Sequence, residues 1–153
     1  MKAVFKQQIK RREWAHIVIT GYSHGGALAL LSHECAWYEL PHMRDGRIIT
    51  VAFGAPRIYG GFTVKDELKE RWAHAYIIKD NEDLVTHMPP RCFGFADVGR
   101  IVQIVNEPVA GCISSHTGKM IQKAILDRIN EGKLREIEEL LNTTDLWKDN
   151  TRA

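Results

Sequence analysis

The sequence has few cysteines and no pairing pattern among them. Its 153 residues include three cysteines, Cys35, Cys92 and Cys112, with no C-x-x-C motif. An odd number of scattered cysteines indicates neither a disulfide framework nor a zinc site. Free thiols are typical of a reducing compartment. We therefore expect no metal and no cofactor, and a cytoplasmic location.

Two further absences exclude classes of partner. The formal net charge is only +2, which is too small to indicate a nucleic-acid partner. No apolar run approaches the roughly 20 residues of a membrane-spanning helix, and the charged N-terminus lacks the apolar region of a signal peptide. With 44% hydrophobic and 26% charged residues, the chain has the composition of a globular protein. We expect one domain over 1–141 and a polar tail over 142–153.

β-branched and apolar runs alternate with helical patterns along the chain. Runs at 16–20, 47–53, 74–79 and 101–105 predict four strands, and the segment 24–38 is the most distinct helix. Such alternation predicts an α/β fold with a mainly parallel sheet of about four strands flanked by helices. The first strand has consecutive apolar residues, as is typical of burial on both faces. The first half of the helix is apolar nearly all round, so we expect it to be buried.

The strongest local pattern lies between the first strand and this helix. Gly21-Tyr22-Ser23-His24-Gly25 matches G-x-S-x-G, which in a strand-to-helix context places a serine on a sharp, strained turn with its hydroxyl clear of the sheet. Glycines on both sides of the turn allow strand and helix to approach without Cβ clashes. The pattern predicts Ser23 as a nucleophile, and the alternative is a tight turn with a capping serine.

A serine hydroxyl needs a base, and the base needs an orienting carboxylate. In α/β-hydrolases the acid follows the serine along the chain and the histidine comes last. Asp83, after the third strand, and His116, beyond the fourth, fit that order. The carboxyl ends of parallel strands meet at one edge of a sheet, so these groups can converge. Asp80, nearer the strand end, remains an alternative acid and Asp97 a more distant one; rejected carboxylates are expected to be solvated loop charges.

The backbone N–H of His24, the residue after the nucleophile, is the expected oxyanion donor. It lies at a helix N-terminus, where the helix dipole favours anions. A second donor normally comes from a loop after the third strand of a complete fold, and we find no such loop before 16–20. Because a lost donor costs roughly 2.7–4 kcal/mol of barrier, we expect the isolated chain to be a weak catalyst.

Three blocks of the sequence resemble the class 3 (fungal-type) lipase family. They lie at 21–29, 53–57 and 81–90. They are similar to the family's G-H-S-L-G-G-A-L-A, F-G-A-P-R and N-D-x-V-x-x-x-P-P segments, and they occur in the same order. The resemblance implies the C-terminal half of an α/β-hydrolase fold, with an ester or lipid substrate. It also implies catalytic roles for Ser23, Asp83 and His116, although Glu82 is inserted relative to the pattern and keeps Asp80 open.

The resemblance predicts a serine carboxylic-ester hydrolase that works through an acyl-enzyme, with a thioesterase or a peptidase as less favoured alternatives. In the complete family fold other strands precede 16–20. Without them this strand would expose unpaired backbone groups that invite pairing with another chain. We therefore also expect either a homodimer or a separate N-terminal half at that edge. The alternative function is a catalytically inactive fragment that acts through protein association.

Overall fold

The computed structural model describes residues 16–60, 66–104 and 116–130. The predicted polar tail 142–153 lies outside these residues. The elements, in chain order, are β1 (Ile17–Tyr22), α1 (His24–Glu39), β2 (Ile48–Phe53), β3 (Tyr59–Gly60), α2 (Asp66–Arg71), β4 (Ala75–Asp80), α3 (Leu84–His87), β5 (Phe95–Ala96), β6 (Arg100–Ile104) and α4 (Gly118–Asn130). Short 3-10 turns lie at Pro41–Met43 and Arg91–Phe93.

Four of the strands form one parallel sheet in the order β1-β2-β4-β6. Ala52 of β2 lies opposite Gly21 of β1 on one side and Ile77 of β4 on the other. This arrangement confirms the predicted α/β fold with a parallel sheet of about four strands flanked by helices. β3 and β5 form a separate antiparallel pair in segments whose sequence predicted only loops.

The sheet is buried most completely at β4, where all six residues are buried. Alternate side chains of a strand point to opposite faces. Ile77 accordingly packs with Leu30 of α1, while Ile78 packs with Ile121 of α4 and Ile104 of β6. Each such side chain stabilises the fold by about 1.5–3 kcal/mol. The two apolar layers fix α1 and α4 on opposite faces and leave the carboxyl edge of the sheet open between them.

The prediction that β1 is buried on both faces is wrong. Ile17 and Ile19 pack toward α1, but Val18 between them is 62% exposed. Among the described residues β1 is one of the two outer strands of the sheet, and no described element covers its Val18 side chain. The predicted burial of the first half of α1 is also only half right. Leu28 and Leu31 are nearly half exposed, because α1 packs on the sheet along one side only.

Among the described residues, none of the helices combines the length and the hydropathy that a transmembrane segment requires.

Candidate active site

Ser23 lies on a strained turn between the end of β1 and the start of α1. Its φ of 54° and ψ of −122° make it the one non-glycine residue with positive φ among those described. A backbone of this kind costs about 1–3 kcal/mol and persists only where surrounding contacts impose it. Here the Ser23 N–H donates to the Phe53 carbonyl at 2.8 Å, and the Ser23 carbonyl accepts from the Ala27 N–H at 3.2 Å. The predicted strained elbow is confirmed.

The close approach of strand and helix depends on Gly21 and Gly26. A Cβ on Gly21 would lie 2.1 Å from the Gly25 carbonyl oxygen, and one on Gly26 would lie 2.8 Å from the Ala55 Cβ. Gly25 itself has nothing within 4 Å of such a Cβ. The prediction that both glycines of the pentapeptide relieve clashes is therefore right for Gly21 and wrong for Gly25. Successive helical residues point about 100° apart, and it is Gly26 that faces the strand.

The structure brings the hydroxyl, the imidazole and one carboxylate together at the carboxyl edge of the sheet. His116 Nε2 lies 2.7 Å from Ser23 Oγ, and His116 Nδ1 lies 2.6 Å from Asp83 Oδ2. The three residues follow β1, β4 and β6 in the chain, which explains why they meet at one edge. With Nδ1–H donating to the carboxylate, Nε2 is the acceptor for the serine hydroxyl.

Asp83, and not Asp80, is the carboxylate beside His116. Asp83 is fully buried, and it caps α3 because its Oδ1 accepts the Val85 N–H at 2.9 Å. That cap leaves Oδ2 for the imidazole. Asp80 is also fully buried, but its Oδ1 accepts the Glu82 N–H at 3.1 Å. The sequence did not predict α3, although an aspartate placed directly before it is a common N-cap signal.

Gly54 lies against the acid–base pair. Its φ is +56°, and a Cβ there would lie 3.3 Å from Asp83 Oδ2 and 3.5 Å from His116 Cε1. Gly54 belongs to the 53–57 block of the sequence, but the pattern of that block predicts no role for it. The positive φ and the lack of space both favour glycine at this position.

Tyr22, the residue before the nucleophile, contacts His116 twice. The two rings stack with centroids 5.3 Å apart and planes inclined by 19°. The Tyr22 hydroxyl donates to the His116 carbonyl at 2.9 Å. Burial, and secondarily the charge of Asp83, raise the pKa of the Tyr22 phenol, so the hydroxyl remains a donor at neutral pH. Nothing in the sequence indicates this contact beyond the position of Tyr22 in the pentapeptide.

An apolar groove of about 370 Å³ opens beside these residues, between the sheet and α4. Tyr22 lines this groove and also stacks on the His116 ring. The lining residues are Tyr22, Phe53, Gly118, Ile121, Gln122, Ile125 and Leu126. A groove of this size lies within the range of small-molecule sites, and its lining is almost entirely apolar.

His24 is the first residue of α1, and its side chain is exposed. Its backbone N–H is therefore one of the terminal amides of a 16-residue helix, where the dipole favours a negative charge. This is the position that the sequence predicted for an oxyanion donor.

An ion cluster around the buried side chain of Asp97 contacts the segment that carries Asp83. Asp97 accepts from Arg57 at 3.2 Å, from Arg91 at 2.9 Å, and from Lys79. Burial raises the pKa of Asp97, but the hydrogen bonds from Lys79 and Arg91 and the neighbouring positive charges outweigh it and lower that pKa to about 2. Lys79 Nζ also donates to the Thr86 carbonyl at 3.2 Å. The expectation that Asp97 and Asp80 are solvated is wrong, because both side chains are buried.

No group of three or more metal-binding side chains occurs in the part of the chain that the structure describes. Cys35 and Cys92 are free thiols there, and Cys112 lies outside it.

A parallel sheet with a serine on a strained strand-to-helix turn, facing a histidine–aspartate pair at its carboxyl edge, defines the α/β-hydrolase fold. Comparison with protein families agrees. A family model described as Lipase (class 3) matches residues 1–93, well over half of the chain, and the chain therefore belongs to the class 3 lipase family. Ser23 and Asp83 lie within the matched residues, and His116 lies beyond them.

Individual relatives match over only part of their own length. A lipase of Rhizopus niveus is 27% identical over 96 residues, which are 63% of this chain and 24% of that protein. The structure of lipase II from Rhizopus niveus aligns with a TM-score of 0.57 at 25% identity, covering 70% of this chain and 39% of that one. A triacylglycerol lipase structure, described as having a serine protease triad as its catalytic centre, aligns with a TM-score of 0.54 at 24% identity over 67% of this chain and 38% of that one. The chain thus spans about a quarter of the curated relative.

Proposed function

We propose that this chain is a serine carboxylic-ester hydrolase. Ser23 Oγ attacks the ester carbonyl while His116 Nε2 accepts its proton, and His116 then returns that proton to the leaving alcohol. Asp83 holds the imidazole in the required tautomer and stabilises the imidazolium that forms. Water, activated by His116, hydrolyses the acyl-serine and regenerates the hydroxyl. The mechanism needs no cofactor.

The observation that carries this proposal is the pair of short contacts made by His116. Its distances of 2.7 Å to Ser23 Oγ and 2.6 Å to Asp83 Oδ2 lie within the range required for proton transfer. Membership of the class 3 lipase family supports an ester as the substrate. The related triacylglycerol lipase described as having a serine protease triad as its catalytic centre supports the roles given to the three residues.

The His24 N–H is the proposed oxyanion donor. It lies at the helix terminus directly after Ser23, where a preorganised dipole stabilises the negative charge of the tetrahedral intermediate.

The groove beside Tyr22 supports an ester with an apolar acyl chain. Burying each methylene is worth about 0.8 kcal/mol, or roughly a fourfold gain in affinity. We expect kcat/KM for p-nitrophenyl esters to rise from acetate through butyrate to octanoate. Equal rates for the three esters would contradict this substrate class while leaving ester hydrolysis itself intact.

The direct test of the proposed function is labelling with a fluorophosphonate, which reacts only with an activated serine. We expect intact-mass analysis to show one adduct on the wild-type chain and none on Ser23→Ala. Circular dichroism of both proteins checks that each is folded. A folded wild-type chain that does not react would overturn the proposal.

Protein association is a second candidate function, favoured by the position of β1. Ile17 and Ser23 donate their backbone N–H groups on the β2 side, so those of Val18 and Thr20 point to the open side. Val18 is also 62% exposed. Absence of labelling in a folded chain that self-associates, or that binds a separate N-terminal half, would favour this function over hydrolysis.

A further inference from the structure

We propose that Tyr22 is a positioning residue that holds His116 against Ser23 by an aromatic stack and a hydrogen bond. The expected effect of Tyr22 on the reaction rate rests on the proposed function, whereas the contact between Tyr22 and His116 does not depend on catalysis. The residue occupies the first of the two variable positions of the G-x-S-x-G pentapeptide, for which the elbow pattern specifies no role.

The first support is that Tyr22 contacts parts of His116 that the other two residues leave free. Ser23 and Asp83 engage the two ring nitrogens. Tyr22 engages the ring face, at 5.3 Å between centroids, and the backbone carbonyl, at 2.9 Å. Contacts at both ring nitrogens, one face and the main chain restrict rotation of the imidazole about both side-chain torsions.

The second support is the connectivity of the chain. His116 lies 12 positions beyond Ile104, where β6 ends, and two positions before Gly118, where α4 begins. Tyr22 is the last residue of β1 and is covalently joined to Ser23. By holding the His116 carbonyl, Tyr22 ties the base directly to the strand that carries the nucleophile.

The third support is electrostatic. An aromatic face attracts a cation placed over it, and His116 becomes a cation when it accepts the serine proton. The stacked Tyr22 ring therefore stabilises the charged state of His116 more than its neutral state. That stabilisation acts on the transition state and lowers the barrier, so its loss reduces kcat rather than substrate affinity.

Two substitutions separate the two contacts. Tyr22→Phe keeps the stack and loses the hydrogen bond, for which we expect about a fivefold slower fluorophosphonate reaction. Tyr22→Leu loses both contacts, for which we expect about a 30-fold slower reaction. For Tyr22→Phe, which keeps the ring that lines the groove, the loss with a p-nitrophenyl ester should appear in kcat with KM nearly unchanged. Tyr38→Leu is the matched control, because Tyr38 is an exposed tyrosine on α1, and its reaction rate should equal that of the wild type.

A structural readout keeps this test independent of activity. The stack places the His116 ring protons in the shielding region of Tyr22, so their proton NMR signals, assigned with His116→Gln, should move downfield in Tyr22→Leu and little in Tyr22→Phe. Unmoved signals, or a Tyr22→Leu variant that reacts as fast as the wild type, would overturn the inference. A wild type that shows the shielded signals but never reacts would instead refute the proposed hydrolase while leaving the contact in place.

Discussion

Gly54 is the residue at which backbone conformation and the proposed chemistry are most directly linked. Gly54→Ala forces a side chain into a backbone with φ of +56° and places a Cβ 3.3 Å from Asp83 Oδ2. The left-handed backbone alone costs about 1–2 kcal/mol. The new Cβ would also lie 3.3 Å from Ile121 Cδ1, so the Asp83 carboxylate or the Ile121 side chain must move to make room for it. We expect fluorophosphonate labelling to slow at least about tenfold, while circular dichroism shows an intact fold.

Gly60→Ala is the matched control for this substitution. Gly60 lies in β3 and has nothing within 4 Å of a Cβ built on it, so labelling should proceed at the wild-type rate. Equal rates for Gly54→Ala and the wild type would show that the space beside Asp83 is not needed.

His33 leads to a prediction about how the free energy of unfolding depends on pH. The side chain is fully buried, with Nδ1 at 2.9 Å from Thr50 Oγ1 and Nε2 donating to the Arg71 carbonyl at 2.8 Å. Burial lowers the pKa of His33, although the Arg71 carbonyl opposes the shift. Below its ordinary pKa of about 6.5 the unfolded chain therefore binds more protons than the folded one, and stability falls as the pH decreases toward the lowered value.

Urea unfolding at pH 7 and pH 5 measures this effect. His33→Gln should reduce the difference in the free energy of unfolding between the two pH values. Some difference should remain, because burial and the charge of Arg100 also lower the pKa of His74. Ile48→Val, a core change without a titratable group, should lower stability equally at both pH values. A pH dependence in His33→Gln as steep as that of the wild type would contradict the prediction.

Among the elements, the segment from α3 to β5 is held by the buried cluster around Asp97. The Asp97, Lys79 and Arg57 side chains are each less than 10% exposed. Asp97→Asn leaves buried cations without their counter-charge, and removing one partner of a buried pair typically costs about 3–5 kcal/mol. We expect a loss of that order in chemical unfolding. The contribution of Asp97 should be complete above about pH 4 and lost as the pH falls toward its pKa of about 2.

Asp45→Asn provides the control for this prediction. Asp45 pairs with Arg47 at 2.8 Å, but its side chain is 62% exposed, so solvent screens the interaction. Its substitution should leave the free energy of unfolding almost unchanged. Similar losses in the two variants would mean that burial of the Asp97 cluster does not determine its contribution.

The element order explains why the meeting of three distant residues could be predicted. Ser23 follows β1, Asp83 follows β4, and His116 lies beyond β6. In a parallel sheet with crossover helices, these positions fall at one edge. The hydrophobic runs were sufficient to place the four strands of the parallel sheet, and the common strand direction then placed Ser23, His116 and the two candidate carboxylates at one edge.

Details that depend on loop packing could not be predicted. The choice of Asp83 over Asp80 depends on α3, a four-residue helix too short to have a hydrophobic period. Whether Gly25 or Gly26 lies too close to the strand for a Cβ depends on which of the two faces Ala55. The burial of Asp97 depends on cations that are distant in the sequence, so its charge was indistinguishable from that of a solvated loop.

At the scale of the whole molecule, the outer position of β1 leads to a prediction about assembly. The Val18 N–H points to the open side of the sheet, and a proline there removes this donor without breaking a bond to β2. If copies of the chain pair through β1, we expect light scattering after size exclusion to give a dimer mass for the wild type and a monomer mass for Val18→Pro. Val18→Thr keeps the N–H and should remain dimeric. A wild-type monomer at all concentrations would contradict pairing of two copies through β1.

The central claim is that Ser23, His116 and Asp83 work as one unit, with the carboxylate acting only through the imidazole. Its most direct test is the second-order rate of fluorophosphonate labelling for His116→Gln, Asp83→Asn and the double variant, each checked for folding. Both single variants should be much slower than the wild type, and the double variant should be no slower than His116→Gln, because residues acting as a unit give non-additive losses. A double variant slowed by the product of the two single effects would show that His116 and Asp83 act independently.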